Sequence, residues 1–395
     1  MQLLNTKANV RWAAAGRSRD KLQGPSRIEL SYITSWSLVD CLRKAGCPES
    51  TPIVLADVDD AASLDAMCQR ATVVLDCVGP YVLYGKPVVQ ACLRQRTDYI
   101  DITGEPTYIA MLMEKYHQQA LNSGVTLVPA CGFDSIPSDI GVMFAKQQVQ
   151  LQGLRPLAVE LFVQVHSGPS GITVNIGTFA SMLQIMSDPG SMKPLKQKSN
   201  RLSVPQVIRS VSWPHYDRRV GLYVVPFQSV DPMLVQLSQE ECQERYQDPP
   251  VQCAAYMGFP SIWQLLGVGL GVAWLALMSQ FEWSRCMLMK HTERLTLGYF
   301  SHQGPTPQQI KETSFTTTIV VHAQNEQGQL VQRRMVVHGP EMAYVTTPIC
   351  AVNAALVLSQ QKSKVPAGVL TSATAFRNTD LVDRLQADGL LMALQ

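Results

Sequence analysis

From Trp12 to about Ala145 the chain alternates short apolar runs with helical stretches, and no other feature constrains its fold as tightly. Ile53-Val54-Leu55-Ala56-Asp57 follows Pro52 as a buried strand ending in an acid, and Ala61 to Arg70 reads as a short helix. Thr72 to Val78 is the next strand and stops at Gly79-Pro80. Pro87 to Arg94 is helical, with Pro87 placed in the first turn, where its missing N–H costs nothing. Tyr99-Ile100-Asp101 is a strand, Pro106 to Ser123 a long helix closed by Gly124, and Val125 to Val128 a further strand. This spacing predicts a parallel, doubly wound α/β sheet.

The series opens unusually. Trp12 to Leu22 (WAAAGRSRDKL) is an apolar strand ending in Gly16-Arg17-Ser18 and running into a polar helix start. In a dinucleotide-binding βαβ unit the second strand ends this way, beside the adenosine ribose, and an Arg directly after it pairs with a 2′-phosphate. The first strand and its glycine-rich turn belong roughly 25 residues upstream. Eleven residues precede Trp12, and none is Gly. The expectation is a sheet without its first strand and phosphate-holding loop, with strands two and four deprived of their shared neighbour. Another segment filling the gap, an unstable product, and a sequence lacking its true N-terminus all account for this, and the last ranks first. A second irregularity is Gly24 to Ser37 (GPSRIELSYITSWS), which breaks the helix begun at Ser18 before Leu38 to Ala45 resumes it. It reads as a splice irregularity or a surface insertion.

After about residue 150 the grammar changes. Val159 to His166 alternates, and Phe315 to Val321 with Leu330 to Val337 predict a hairpin around Asn325-Glu326-Gln327-Gly328, hence an α+β second domain. Pro348 to Gln361 and Thr379 to Ala387 read as helices. Pro249 to Phe281 contains no Asp, Glu, Lys or Arg, in a chain with only 16% charged residues. Its apolar centre, Ile262 to Met278, is long enough to cross a membrane, although Pro260, Gly267, Gly269 and Gly271 argue against one straight helix. A buried core helix, a spanning helix, and a helix or hairpin seated in a lipid surface compete, and the length without charge favours lipid. The organisation predicted is a nucleotide-binding domain over 1–150, a second domain over 151–248 and 296–395, and a hydrophobic insertion over 249–295.

The net charge of +2 supplies no field for nucleic acid. Met1 to Arg11 lacks the apolar run of a signal peptide. The ten cysteines show no C-x-x-C pair and read as reduced, mostly buried thiols of a cytosolic protein.

Cys77-Val78-Gly79-Pro80-Tyr81 with Tyr84-Gly85, Asp101-Ile102-Thr103-Gly104-Glu105-Pro106, and Cys131-Gly132-Phe133-Asp134-Ser135-Ile136-Pro137-Ser138-Asp139 resemble the saccharopine dehydrogenase family. The uncharged run, Gly298-Tyr299-Phe300 and Ala343-Tyr344-Val345 point to its animal branch of oxidoreductase-like members. The resemblance implies a Rossmann-like domain, a second α+β domain, an NAD(P)-dependent oxidoreductase ancestry with NADP as cofactor, and association with lipid droplets or membranes on the cytoplasmic side. It leaves the substrate open, and this chain departs from the family in lacking the opening strand and G-A-[ST]-G-[FY]-[TV]-G turn. Losing that turn costs most of the pyrophosphate contacts, so this polypeptide is expected to bind the dinucleotide weakly or not at all. The remaining candidates are Arg17 and Ser18 for a 2′-phosphate, Asp57 for the adenine side or as a helix cap, and Val78, Gly79 and Pro80 beside the nicotinamide ribose. His166 reads as a hydrogen-bonded or solvent-facing side chain. Asp134 and Ser135 are cleft residues or caps of the helix containing Pro137, and Cys77 and Cys131 read as packing residues. Tyr84, Asp101, Glu105 and Asp134 are offered for proton transfer, and none is selected. The rival to an enzyme is a non-catalytic lipid-surface scaffold.

Overall fold

The computed structural model describes residues 10–16, 42–43, 45–187, 204, 206–209, 211–227 and 229–395. Arg17, Ser18 and the Gly24 to Ser37 stretch lie outside them. In chain order the first half runs β1 (Ala14–Gly16), β2 (Ile53–Leu55), α1 (Ala61–Cys68), β3 (Val73–Asp76), α2 (Tyr81–Gln95), β4 (Asp98–Asp101), α3 (Pro106–Ser123), β5 (Thr126–Val128) and α4 (Ile136–Leu151). All of its strand pairs are parallel. Local chemistry sets several boundaries. Pro106 opens α3, and Gly124 closes it at φ +69, a conformation that costs a residue with a Cβ. Asp60 caps α1 by accepting from the N–H groups of Ala62 and Ser63. Asp57 is therefore not the cap.

Helix α2 begins six residues earlier than the sequence suggests, so Pro87 lies inside it rather than in its first turn. The reason is a distant partner. The Glu105 carboxylate accepts from the N–H groups of Tyr81 and Val82, both at 2.8 Å, and satisfies the donors of an earlier first turn.

The second half continues with β6 (Arg155–His166), α5 (Ile176–Ser187), β7 (His215–Asp217), β8 (Leu222–Pro226), α6 (Val230–Tyr246), β9 (Gln252–Phe259), α7 (Ile262–Ser279), α8 (Glu282–Lys290), β10 (Ser314–Gln324), β11 (Leu330–Pro340), α9 (Thr347–Gln360), β12 (Gly368–Val369), α10 (Ser372–Phe376), α11 (Leu381–Ala387) and β13 (Leu391–Leu394). Among the described residues, one mixed sheet has the order β13-β11-β10-β6-β9-β8-β7, with β6 and β9 parallel. Strand β12 instead returns to the first half and completes a parallel sheet ordered β12-β5-β4-β3. The main core joins the two sheets, with Ile100 and Val128 of one and Val159, Leu161, Ile319 and Val337 of the other packed with α4 and α9.

Two consequences bear on function. Among the described residues β1 and β2 hydrogen-bond only to each other, and β3 pairs only with β4, so β1 and β3 each keep an unpaired edge. The uncharged run also splits into two elements: Gln252 to Phe259 is strand β9 of the large sheet, and Ile262 to Ser279 is one uninterrupted helix. The three glycines do not break α7, and a Cβ at Gly267, Gly269 or Gly271 would meet nothing within 4 Å.

Gly85 shows how tightly the first half is packed. A Cβ there would come within 2.7 Å of Tyr108 Cζ, forcing the ring of a buried tyrosine to move. Gly85→Ala gains about 1 kcal/mol of helix propensity against roughly 1–3 kcal/mol of overpacking. The expected net result is a lower Tm by calorimetry, and an unchanged or raised Tm would show that Tyr108 yields freely.

Candidate functional site

The carboxyl ends of β3, β4 and β5 meet at one edge of the parallel sheet, where doubly wound folds place their ligands. Asp76 ends β3 and Asp101 ends β4, and they are register partners, so two carboxylates arrive side by side. Both are buried. Asp101 Oδ1 accepts from the Thr103 N–H at 3.0 Å and the Ala130 N–H at 2.8 Å, while its carbonyl accepts from Cys131 N–H at 2.7 Å. Its Oδ2 is buried and meets no hydrogen-bond geometry among the described residues, with the Tyr99 hydroxyl the side-chain donor that acts on the carboxylate. Asp76 Oδ1 accepts from Val78 N–H at 2.9 Å, and its Oδ2 accepts from the Tyr99 hydroxyl at 3.3 Å. Tyr99 and Tyr108 hydroxyls lie 3.1 Å apart, and the Tyr81 hydroxyl donates to the Asp76 carbonyl at 3.0 Å.

Burial pushes the Asp76 carboxyl up to about 6 and the Asp101 carboxyl up to about 7, with the neighbouring Asp76 charge adding to the latter. The pair therefore changes charge near neutral pH while its hydrogen bonds hold three loops. Val78 N–H is tied to Asp76, Thr103 N–H and Ala130 N–H to Asp101.

Of the residues singled out in the sequence, Val78, Gly79 and Pro80 do lie at this edge. Val78 and Gly79 are exposed, and the Gly79–Pro80 peptide is cis. Cys77 is exposed rather than a fully enclosed packing residue. Surrounding protein, with the Asp76 and Asp101 charges, pushes its thiol up to about 11, so it is no thiolate at neutral pH. Cys131 is buried, as a packing residue should be. Asp134 reaches solvent in a crowded setting that raises its pKa, next to Gly104, where a Cβ would stand 3.2 Å from Asp134 Oδ2. Neither Asp134 nor Ser135 caps α4 with its side chain; Ser135 sits 3.3 Å from the Ser372 hydroxyl instead. Glu105 binds the start of α2, as described above. Asp57 lies apart, beyond β2, its Oδ1 accepting from Asp59 N–H at 3.1 Å. His166 is far along in the large sheet, its Nε2 2.9 Å from the Thr316 hydroxyl, with burial and His338 lowering its pKa. It belongs to the hydrogen-bonded reading.

A nicotinamide nucleotide fits the loop end of this edge. Among the described residues a Cβ at Gly79 would meet only the Tyr81 ring, at 3.6 Å, an ordinary contact distance. Among the described residues no glycine-rich turn leads from a strand into a helix to take the pyrophosphate. No three His, Cys, Asp or Glu side chains among them are grouped to hold a metal.

Residues 2–128 match the family model described as the saccharopine dehydrogenase NADP binding domain. The saccharopine dehydrogenase-like oxidoreductase of Rattus norvegicus is 37% identical over 393 residues, spanning 96% of this chain and 88% of that protein. The chain belongs to this family. A Caenorhabditis elegans relative named lipid droplet localized protein is 30% identical over 403 residues, spanning 97% of the chain and 91% of that protein. The fold is also that of a Saccharomyces cerevisiae saccharopine dehydrogenase (L-Glu forming), with a TM-score of 0.57 at 11% identity, covering 100% of this chain and 96% of that one. The first half is thus the family's Rossmann-like nucleotide domain, and the second half its further domain.

The tyrosine-lined acid pair was not identified from the sequence, although one signal was available: two consecutive parallel strands both end in Asp. The folded chain holds the Asp101 proton up to about pH 7, whereas the unfolded chain releases it near pH 4. Between those values the folded state carries the extra proton, so stability falls as pH rises through this window. Asp101→Asn keeps an Oδ1 acceptor and removes the titration. Urea unfolding of the variant should show a shallower loss of stability between pH 4 and 7, and a slope equal to the parent's would contradict the assignment.

Proposed function

We propose that this protein is an oxidoreductase of a nicotinamide-nucleotide-dependent family, works at a lipid surface, and prefers NADP(H) but holds it weakly, because no glycine-rich turn among the described residues takes the pyrophosphate. The observation that carries the nucleotide half is the open loop Cys77–Pro80 at the carboxyl edge, anchored by Asp76 through the Val78 N–H. Bound there, the nucleotide would supply a hydride donor or acceptor. Gly79 would give the nucleotide close approach, and Asp76 would fix the loop through Val78 N–H. Arg17, directly after β1, supports the choice of NADP over NAD through its charge.

Helix α7 supports the lipid half. Only 17% of its span is buried, and Trp263, Leu266, Leu270, Val272 and Leu277 are exposed on an 18-residue helix without a charge. An ordinary exposed helix is amphipathic, whereas one that is apolar all round belongs in a core or a lipid. Its length, about 27 Å at the standard rise, approaches a hydrocarbon layer of roughly 30 Å. The second helix of comparable length and polarity, Met342–Gln360, is 56% buried and serves the core. Leu275 and Ser279, near the end of α7, are buried, and Leu275 joins Phe179 and Leu183 of α5 and Leu288 of α8. That base anchors the helix to the folded body, while residues 262–274, apart from the buried Leu265, stay uncovered. The lipid droplet relative agrees with this placement.

A second reading, a scaffold at the same lipid surface, draws on the small size of a groove at the surface of the first half. It holds about 150 Å³ and lies between α2 and α3, lined by Val82, Lys86, Thr107, Tyr108, Met111 and Lys115.

Gly79→Ala separates the two. The extra methyl fits the protein, so the fold should persist. Close approach of the nucleotide should be lost, weakening NADPH binding by about tenfold or more, equivalent to about 1.4 kcal/mol. Equal NADPH affinity in parent and variant, or none in a folded parent, would overturn the nucleotide half. For the lipid half, Leu270→Asp with Leu277→Asp should move the protein from floated liposomes or lipid droplets into the soluble fraction. Unchanged flotation would contradict insertion by α7.

A further inference from the structure

Cys68 ends α1 and Cys92 lies near the end of α2, and their sulfurs face each other at 3.7 Å with both side chains fully buried. The same seam holds three other ties. Arg94 grips the Asp65 carboxylate through Nε at 3.0 Å and Nη2 at 2.8 Å, the Gln69 amide donates to Gln95 Oε1 at 3.1 Å, and the Thr97 hydroxyl donates to the Cys68 carbonyl at 2.9 Å. The seam matters because of the break in the sheet. Strands β1 and β2 make no hydrogen-bonded ladder to β3 among the described residues, so α1 packed on α2 is the principal contact joining the β1–β2–α1 unit to the rest.

We propose that Cys68 and Cys92 are a redox modification site, closing reversibly into a disulfide that locks the β1–β2–α1 unit onto the body of the domain. The oxidant is hydrogen peroxide. The Cys68 thiolate attacks one peroxide oxygen, an S–O bond forms, the O–O bond breaks, and water leaves after protonation, giving a sulfenic acid. The Cys92 sulfur, giving up its proton, then attacks the Cys68 sulfur; the S–S bond forms, the S–O bond breaks, and a second water leaves. The two thiols lose two electrons and two protons, and the peroxide becomes two waters. A dithiol reverses the bond by exchange.

The geometry assigns the roles. The two sulfurs face one another at 3.7 Å, and Cys68 is taken as the attacking group because it belongs to α1, the element whose local opening exposes the seam. Closing the bond requires the sulfurs to approach by about 1.6 Å to reach the disulfide length of about 2.05 Å. Buried thiols are ordinarily inert, but among the described residues this seam is the principal attachment of its unit, so its local opening admits peroxide at less cost than global unfolding. The bond then traps the closed state across 24 residues of chain.

The test treats the folded full chain with hydrogen peroxide, alkylates remaining thiols after denaturation, and maps unreduced peptides by mass spectrometry. Hydrogen exchange is measured in parallel before oxidation, after it, and after dithiothreitol. The expected result is a Cys68–Cys92 linked peptide that dithiothreitol removes, with exchange over residues 53–68 slowed by about tenfold or more, as a loop of this size predicts. Cys68→Ser and Cys92→Ser should each abolish both effects. Alkylatable Cys68 and Cys92 after oxidation of other thiols, their conversion to sulfinic acids, or a disulfide that leaves exchange over 53–68 unchanged would each overturn the proposal. The wild-type mapping alone decides the matter if a serine variant fails to fold.

Discussion

A single buried carboxylate, Asp101, gathers the loops that follow β4 and β5. One of its oxygens accepts two backbone N–H groups from different loops, and its own carbonyl accepts a third. Hydrogen bonds to a charged acceptor are the stronger kind, yet burial makes the charge costly. The compromise is a carboxyl that titrates near neutrality, stacked in register against a second one, Asp76, which holds the next loop. The exposed Cys77–Pro80 segment, the site of the proposed nucleotide contact, is positioned by this pair. Gly85 and Tyr108 beneath it are packed tightly enough that one methyl disturbs the tyrosine cluster.

The second constraint is thermodynamic rather than geometric. The chain contains two long apolar helical spans that composition does not distinguish, and their surroundings part them. The Met342–Gln360 span is enclosed between the sheets, where Cys350, Ala354 and Val357 are fully buried. Helix α7 instead leaves Trp263, Leu270 and Leu277 in the open. Each exposed Leu forgoes roughly 1.5–3 kcal/mol of burial, a cost that a lipid surface removes. The base of α7 is fixed to α5 and α8, so the folded domains would hold the nucleotide edge at a set distance from any surface the helix enters.

Much of the first half was legible because its signals are local. Strand–helix alternation, Pro106, Gly124 and the Val78–Gly79–Pro80 turn each act within a few residues, and the structure places them as read. What escaped is non-local. The early start of α2 depends on Glu105, more than twenty residues away. Strand β12 crosses back into the first sheet from the far end of the chain, and β9 hides inside an uncharged run because a fully buried strand and a helix segment share the same composition. The helical state of α7 through three glycines also went against propensity. At the site, the strand-end loop was found, but the Asp76–Tyr99–Asp101 cluster was not, since its members converge only once the strands stand in register. Arg17 and Ser18 lie outside the described residues.

Under the proposed function, the carboxyl edge of the β3-β4-β5 sheet receives the nicotinamide nucleotide. Hydrogen exchange of the intact chain with and without saturating NADPH tests it directly. Exchange should slow at Val78 and Val82 and through the loop 102–105, with the distal strands β7 and β13 unchanged. No protection in a folded chain, or protection confined to residues remote from this edge, would contradict it.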